Sequence, residues 1–155
     1  MRFSTVSAFL VAASPLISSA CRRTAEETPE SVLTTWVNAM NASRSDIEAR
    51  RRAYELLSDA ARGSLTDRAA RASQLSGRDL QPWEMLAPGR FAMRFAFEPE
   101  GLRTRVEGDH ATVTARGPQG DQASVPMIRE NGHWHVDLVL PAMQTIQVSA
   151  DGGAP

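Results

Sequence analysis

The stretch Pro126-Met127-Ile128-Arg129-Glu130-Asn131-Gly132-His133-Trp134-His135-Val136-Asp137 decides the fold. Asn131-Gly132 is the dipeptide of a two-residue hairpin, because both central positions of such a turn need positive φ. On its far side Trp134, Val136, Leu138 and Leu140 alternate with polar residues, the period of a half-buried strand. On its near side Ala123, Val125 and Met127 begin another strand, in which Pro126 marks an edge or a bulge. Moving outward, Gly117-Pro118-Gln119-Gly120 is a turn, Ala111, Val113 and Ala115 form a strand before it, and Gly108-Asp109 is the turn before that. Leu102, Thr104 and Val106 give one more strand. Phe91, Met93, Phe95 and Phe97 alternate with Ala92, Arg94 and Ala96 in the same way. The last third of the chain is therefore an antiparallel meander of four to five strands.

Upstream the period changes from 2 to 3.6. Thr28-Pro29-Glu30 has the cap, first-turn proline and early acid of a helix start. Val32, Leu33, Trp36, Val37 and Met40 then line one helical face. Ser45 and Glu48 form a capping-box pattern for a second helix, with Ile47, Tyr54, Leu57 and Ala61 as its buried stripe. Gly63 interrupts that pattern. Ser64 and Asp67 open a third helix through Leu65, Ala69, Ala72 and Leu75, ended by Gly77. Pro82-Trp83-Glu84-Met85-Leu86 is a short turn. Helices segregated from strands predict an α+β domain over residues 28–148, with N-terminal helices covering one face of the antiparallel sheet. Residues 149–155 are small and polar and read as a flexible tail.

The first 20 residues do not belong to that domain. Arg2 is followed by an uncharged run from Phe3 to Ala20, apolar at Phe9, Leu10, Val11, Leu16 and Ile17. Such a run is too short to stay in a bilayer as a helix, which needs about 20 apolar residues, and reads as a signal peptide. It ends Ser18-Ser19-Ala20-Cys21, and Cys21 is the only cysteine in the chain. A disulfide within the chain is thereby excluded.

The ending resembles the bacterial lipobox, in which small residues precede a cysteine that receives diacylglycerol. The family pattern has an aliphatic residue three before the cysteine, where this chain has Ser18. Ser18-x-Ala20 also suits an ordinary signal peptidase, which would leave Cys21 as a free thiol, and a plain N-terminal helix is a third reading. The lipobox resemblance implies an exported lipoprotein anchored through Cys21 to the cell envelope. In a host with two membranes, Arg22 rather than aspartate after the cysteine implies the outer membrane. Arg22 and Arg23 would then lie at the headgroups. Residues 22–27 would tether the domain within roughly 20 Å of the bilayer.

The helix Pro29-Glu30-Ser31-Val32, the segment Ala53-Tyr54-Glu55-Leu56-Leu57-Ser58 and the closing hairpin 126–137 resemble the nuclear transport factor 2-like superfamily. That superfamily includes ketosteroid isomerase and SnoaL-type polyketide cyclases. The resemblance implies a cone-shaped domain that often opens a cavity between sheet and helices, and it carries many functions. Trp36, Tyr54, Trp83, Phe91, Phe95 and Met93 would line such a pocket; a filled core is the plainer reading of the same residues. Relatives that are isomerases pair a carboxylate base with an oxyanion donor. Tyr54 with Asp79, Glu84 or Asp137 would supply those types, though no spacing selects among them.

His133, His135 and Asp137 share one face of the last strand and are metal-ligand types. Neighbours on that face stand nearly 7 Å apart, however, so a straight strand does not wrap one ion. The apolar set Trp134, Val136 and Leu138 makes theirs the solvated face, and no cofactor is expected. The net charge is −1, or −2 once Arg2 leaves, so no electrostatic case for nucleic acid exists. All 17 basic residues are arginine, in the leader as in the domain, which reads as codon bias rather than as a site. Arg50-Arg51-Arg52 reads as a solvated face with Glu48–Arg52 and Arg51–Glu55 pairs, and Arg129–Glu130 and Asp59–Arg62 as structural pairs. The function expected is a non-catalytic domain that binds an envelope protein or a small apolar ligand beside the membrane, with an isomerase or cyclase as the alternative.

Overall fold

The computed structural model describes residues 27–86, 96 and 99–143. It has three helices, α1 (Pro29–Ala42), α2 (Ile47–Glu55) and α3 (Asp59–Ser76), and four strands, β1 (Leu102–Glu107), β2 (His110–Arg116), β3 (Gln122–Glu130) and β4 (His133–Val136). Short 3-10 turns lie at Pro82–Met85 and Pro99–Gly101. The helices precede and pack with an antiparallel sheet of order β1-β2-β3-β4, an α+β fold. The expected strand at Phe91–Phe97 falls outside the described residues apart from Ala96, which is exposed and in no strand.

Helix α1 starts where the sequence places it. Thr28 Oγ1 accepts from the Ser31 N–H at 3.2 Å and Ser31 Oγ accepts from the Thr28 N–H at 3.1 Å, so two otherwise orphaned donors are satisfied reciprocally. Its apolar face, Val32, Leu33, Trp36, Val37 and Met40, is buried. Helix α2 differs from expectation. Asp46, not Ser45, is its cap, with Oδ1 accepting from the Glu48 N–H at 2.8 Å. Ser45 stays in the preceding turn, donating its N–H to Ala42 O. Ile47 becomes the first helical residue and is 57 % exposed, not core. Ala49 and Ala53 face inward instead, and their small side chains let α2 lie close to α1.

The expected continuation of this helix through Leu57 to Ala61 does not occur. The chain leaves the helix after Glu55 and runs for three residues alongside β4. Val136 N–H donates to Leu56 O at 2.9 Å, Ser58 N–H donates to Val136 O at 3.0 Å, and Leu57 bridges Val136 in parallel. Ser58 then caps α3, its Oγ accepting from the Ala61 N–H at 3.2 Å. Gly63, read as a break, sits inside α3 with open space around it. With Ser58 as cap and Ala61, Leu65 and Ala69 buried, burial on one face outweighs a single glycine's helix penalty of about 1 kcal/mol. Leu75, expected on the buried stripe, is 77 % exposed. Gly77 closes it as expected, at φ +67° with its N–H on Ser73 O.

The sheet turns at Gly108 and Asn131-Gly132 all have positive φ, which the hairpin geometry demands. Leu102, Ala111, Val113, Ala115, Met127, Trp134 and Val136 are buried on the face toward the helices. Pro126 is on an interior strand, opposite Thr112. Its carbonyl accepts the Asp137 N–H at 2.9 Å, so its ring nitrogen faces the side on which β4 has already ended. No ladder bond is lost, and neither an edge nor a bulge is needed. The last strand is shorter than its alternation implies: the Leu138 N–H turns back to Val136 O at 3.2 Å, and Leu138 and Leu140 pack on the core without strand pairing.

Candidate functional site

Of the residues read as lining an aromatic pocket, Trp36, Tyr54 and Trp83 are described, and the first two pack with the hydrophobic core. Trp36 is buried in α1, and Tyr54 of α2 is half-buried against the same cluster. Leu33, Met40, Leu57, Leu65, Leu86, Val113, Met127 and Val136 are fully buried side chains of that core. Trp83 is half-buried in the first 3-10 turn, beneath the Arg51 guanidinium, whose carbon lies 4.7 Å from the ring centre. Such a stack is worth roughly 0.5–1 kcal/mol where exposed. Phe91, Met93 and Phe95 lie outside the described residues, as does Cys21.

A depression of about 120 Å³ lies on the outer face of the sheet, lined by Arg105, Glu107, His110, Ala111 and Thr112. Arg105 is paired to Glu107 at 2.6 Å in open solvent, and among the described residues no unpartnered buried polar atom belongs to the lining. It lacks the apolar walls and convergent polar groups of a ligand site.

His133, His135 and Asp137 are separated by the strand pleat and take separate partners. His133 Nδ1 lies 3.5 Å from Glu27 Oε2. His135 is half-buried and its Nδ1 has no hydrogen-bond partner among the described residues. Asp137 Oδ1 accepts from the fully buried Ser58 hydroxyl at 2.9 Å. Trp134 and Val136 take the inner face, as their alternation implies. Among the described residues no three His, Cys, Asp or Glu side chains come together to hold a metal ion.

The carboxylates considered as bases are each held structurally. Glu84 accepts from the Gln81 N–H at 2.7 Å and closes the 3-10 turn, Asp79 accepts from Gln81 Nε2 at 3.2 Å, and Asp137 holds Ser58. None is hydrogen-bonded to Tyr54 among the described residues. Two other acids are tuned. Burial opposes the charge of Glu30, but donors at its own backbone and at Thr28, with the Thr104 hydroxyl close by outside strict bonding geometry, hold its carboxyl below the ordinary range. The backbone donors of Ala49 and Glu48, with Arg52 nearby, do the same for Asp46, against a small desolvation. Both sit at helix starts, where exposed N–H groups and the dipole favour negative charge. Neither marks a catalytic site.

The arginines divide differently from expectation. Arg50 is half-buried and donates to Ser43 O at 2.9 Å, Arg51 meets Glu48 at 3.3 Å, and Arg52 reaches the cap Asp46 at 3.3 Å. The cap carboxylate thus takes Arg52 in place of Glu48, and no Arg51–Glu55 pair forms among the described residues. Asp59–Arg62 is present. Arg129 and Glu130 do not pair with each other, because adjacent strand residues face opposite ways. Arg129 lies over Trp134, 4.5 Å from its ring centre, and Glu130 Oε2 accepts from the Asp59 N–H at 2.9 Å, a second acceptor at the start of α3.

Two junctions went unread in the sequence, Ser58–Asp137 and Glu27 on β4. Ser58-Asp59 does have the composition of a helix cap with an acidic first turn, a signal that competes with the helical spacing of Leu57 and Ala61. Glu27 has no local signal at all: its carboxylate accepts from the Trp134 N–H at 2.7 Å, across 107 positions of sequence. No helix among the described residues is long and apolar enough to cross a membrane. No family model matches the chain, and no curated protein or solved structure is detectably similar to it.

Proposed function

We propose that the chain is an exported lipoprotein, anchored through Cys21 to the cell envelope, whose α+β domain is a non-catalytic interaction module held close to the membrane. One observation carries the reading: an uncharged, apolar run from Phe3 to Ala20 ends at the only cysteine of the chain. Several acyl chains on that cysteine would bind a bilayer at about 0.8 kcal/mol per buried methylene. Trp36 and Tyr54 packed with the core, and the carboxylates Asp79, Glu84 and Asp137 held in structural hydrogen bonds, support interaction over catalysis. The order of helices and sheet is compatible with the nuclear transport factor 2-like resemblance, which stands as part of the same proposal.

The test is native expression followed by membrane fractionation, labelling with a radioactive fatty acid, and intact mass. Wild type is expected in the membrane fraction with a mass of residues 21–155 plus lipid, and Cys21→Ala is expected to lose label and membrane attachment. Unmodified protein with Met1 still present in the soluble fraction would refute export and anchoring together, and an unmodified chain beginning at Cys21 would leave ordinary secretion.

A further inference from the structure

We propose that the open flank of β3 at Gln122–Pro126 takes an extended, uncharged segment of a partner protein as an added strand; this rests on the interaction-module reading above and names its partner class. Strand β3 has nine residues and β4 only four. Strand β4 pairs with Met127 to Glu130, which leaves Gln122 to Pro126 uncovered on that side. Two bonds show which way each residue turns its backbone groups. Pro126 O accepts from the Asp137 N–H at 2.9 Å, toward β4, and the Arg129 N–H donates to Asp109 O at 2.7 Å, toward β2. Backbone groups alternate sides along an antiparallel strand, so Gln122 and Ser124 point the same way as Pro126, away from β2. Their N–H and C=O groups have no partner among the described residues. The chain of β4 does not return to meet them. After Asp137 the Leu138 N–H turns back to Val136 O, and the segment leaves toward α3, where Arg68 donates to Pro141 O.

A row of unpaired N–H and C=O groups at strand spacing is a template for another strand. Main-chain bonds give such an added strand its affinity, and the alternate side chains give it specificity. An antiparallel segment here continues the line of β4, exchanging bonds with Ser124 and with Gln122. The flank carries no charge from Gln122 to Pro126, so nothing in it recognises a charged segment. Ala123 and Val125 are half-buried on the inner face, and Val125 packs against the core. Alternate partner side chains beside them are therefore apolar. The others lie beside Gln122 and Ser124, which are exposed, and are small and polar. A second copy fits poorly. Paired antiparallel about Ala123, it overlaps only a few residues before its β2–β3 turn meets the end of β4, too short a contact for the roughly 1,200 Å² of a stable interface. A flexible segment has no such turn and can follow the departing chain past Leu138 and Leu140.

The test is photocrosslinking of the full chain in its native host, with benzoylphenylalanine in place of Gln122. Adducts to a partner segment that alternates apolar and uncharged polar residues are expected. Ser124→Pro removes the N–H from the flank without touching the β2 ladder, as Pro126 already does two residues on, and should cut the adduct yield several-fold. Ser124→Ala loses the same exposed hydroxyl contact to Thr114 but keeps the N–H, and should leave the yield unchanged. Equal yields from the two variants overturn the proposal. So do adducts only to a second copy, adducts only to residues 144–155 of the same chain, or none. Amide exchange of the purified protein decides the matter even where Ser124→Pro does not fold. Gln122 and Ser124 should exchange several-fold faster than Ala123 and Val125, and equal protection overturns the open flank. Fractionation of the same cells separates the two readings: anchored protein without adducts sinks the added strand alone, whereas cytosolic protein sinks export while the exchange contrast still judges the flank.

Discussion

Removing one oxygen, in Ser58→Ala, should unfasten the junction between the helices and the sheet. The Ser58 hydroxyl is fully buried and does two things: it accepts from the Ala61 N–H to cap α3, and it donates to Asp137 beyond the end of β4. Loss of a serine cap costs about 1 kcal/mol. A hydrogen bond to a charged group contributes about 1.5–3 kcal/mol, and because Asp137 is half-exposed and water can replace part of the bond, about 1 kcal/mol is the appropriate share. The total of about 2 kcal/mol should lower the urea midpoint by roughly 1 M, for an m-value of about 1.5–2 kcal/mol/M. Equilibrium urea unfolding followed by circular dichroism reads this directly. A double-mutant cycle with Asp137→Ala then separates the two roles: the cap term stays with Ser58 alone, while the shared bond should appear as about 1 kcal/mol of coupling. A cost below about 0.5 kcal/mol, within the range of an ordinary surface change, would refute the junction. So would strict additivity in the cycle.

Gly63→Ala should stabilise the protein by about 0.5–1 kcal/mol, since the added methyl meets nothing within 4 Å and alanine is the better helix former. A raised unfolding midpoint is the expected readout, and a lowered one would mean that the helix needs a break there. Asp46 makes stability depend on pH in a definite direction. Its folded pKa lies below the ordinary value of 3.8, so its contribution is present above that value and is lost as pH falls through the folded pKa. Asp46→Asn should therefore be less stable than wild type at pH 6 and indistinguishable from it near pH 2, and an unchanged deficit across that range would argue against a charge effect at this cap.

What the sequence shows of this fold is what local period encodes. Trp134 and Val136 face inward because alternation against the polar His133 and His135 leaves them no other face, and Asn131-Gly132 fixes where the chain reverses. The α1 stripe is legible for the same reason. The region from Leu56 to Ser58 is not, because an apolar residue at helical spacing looks the same whether it continues a helix or leaves it to bond a strand. Leu57 fits the α2 pattern and is buried, as that pattern implies, but its backbone neighbours bond Val136 rather than the next helical turn. Gly63 misleads in the complementary way. Its intrinsic preference is against helix, and the preference is overruled by a stripe of buried residues on the opposite side.

The candidate site follows the same division. Strand alternation was enough to put His133, His135 and Asp137 outside, and pleat spacing was enough to doubt that they meet. Nothing local could say that Asp137 would be engaged by a serine 79 positions earlier or that Trp134 would be met by Glu27. Both contacts share a physical cause. β4 is a four-residue strand at the sheet edge, and an exposed edge donor is a liability that proteins cover. Here the covering groups lie along one edge, Leu56 to Ser58 at Val136 and Glu27 at Trp134, so the segment just before α1 and the strand it covers are fastened to each other. A change at either place should be felt at both.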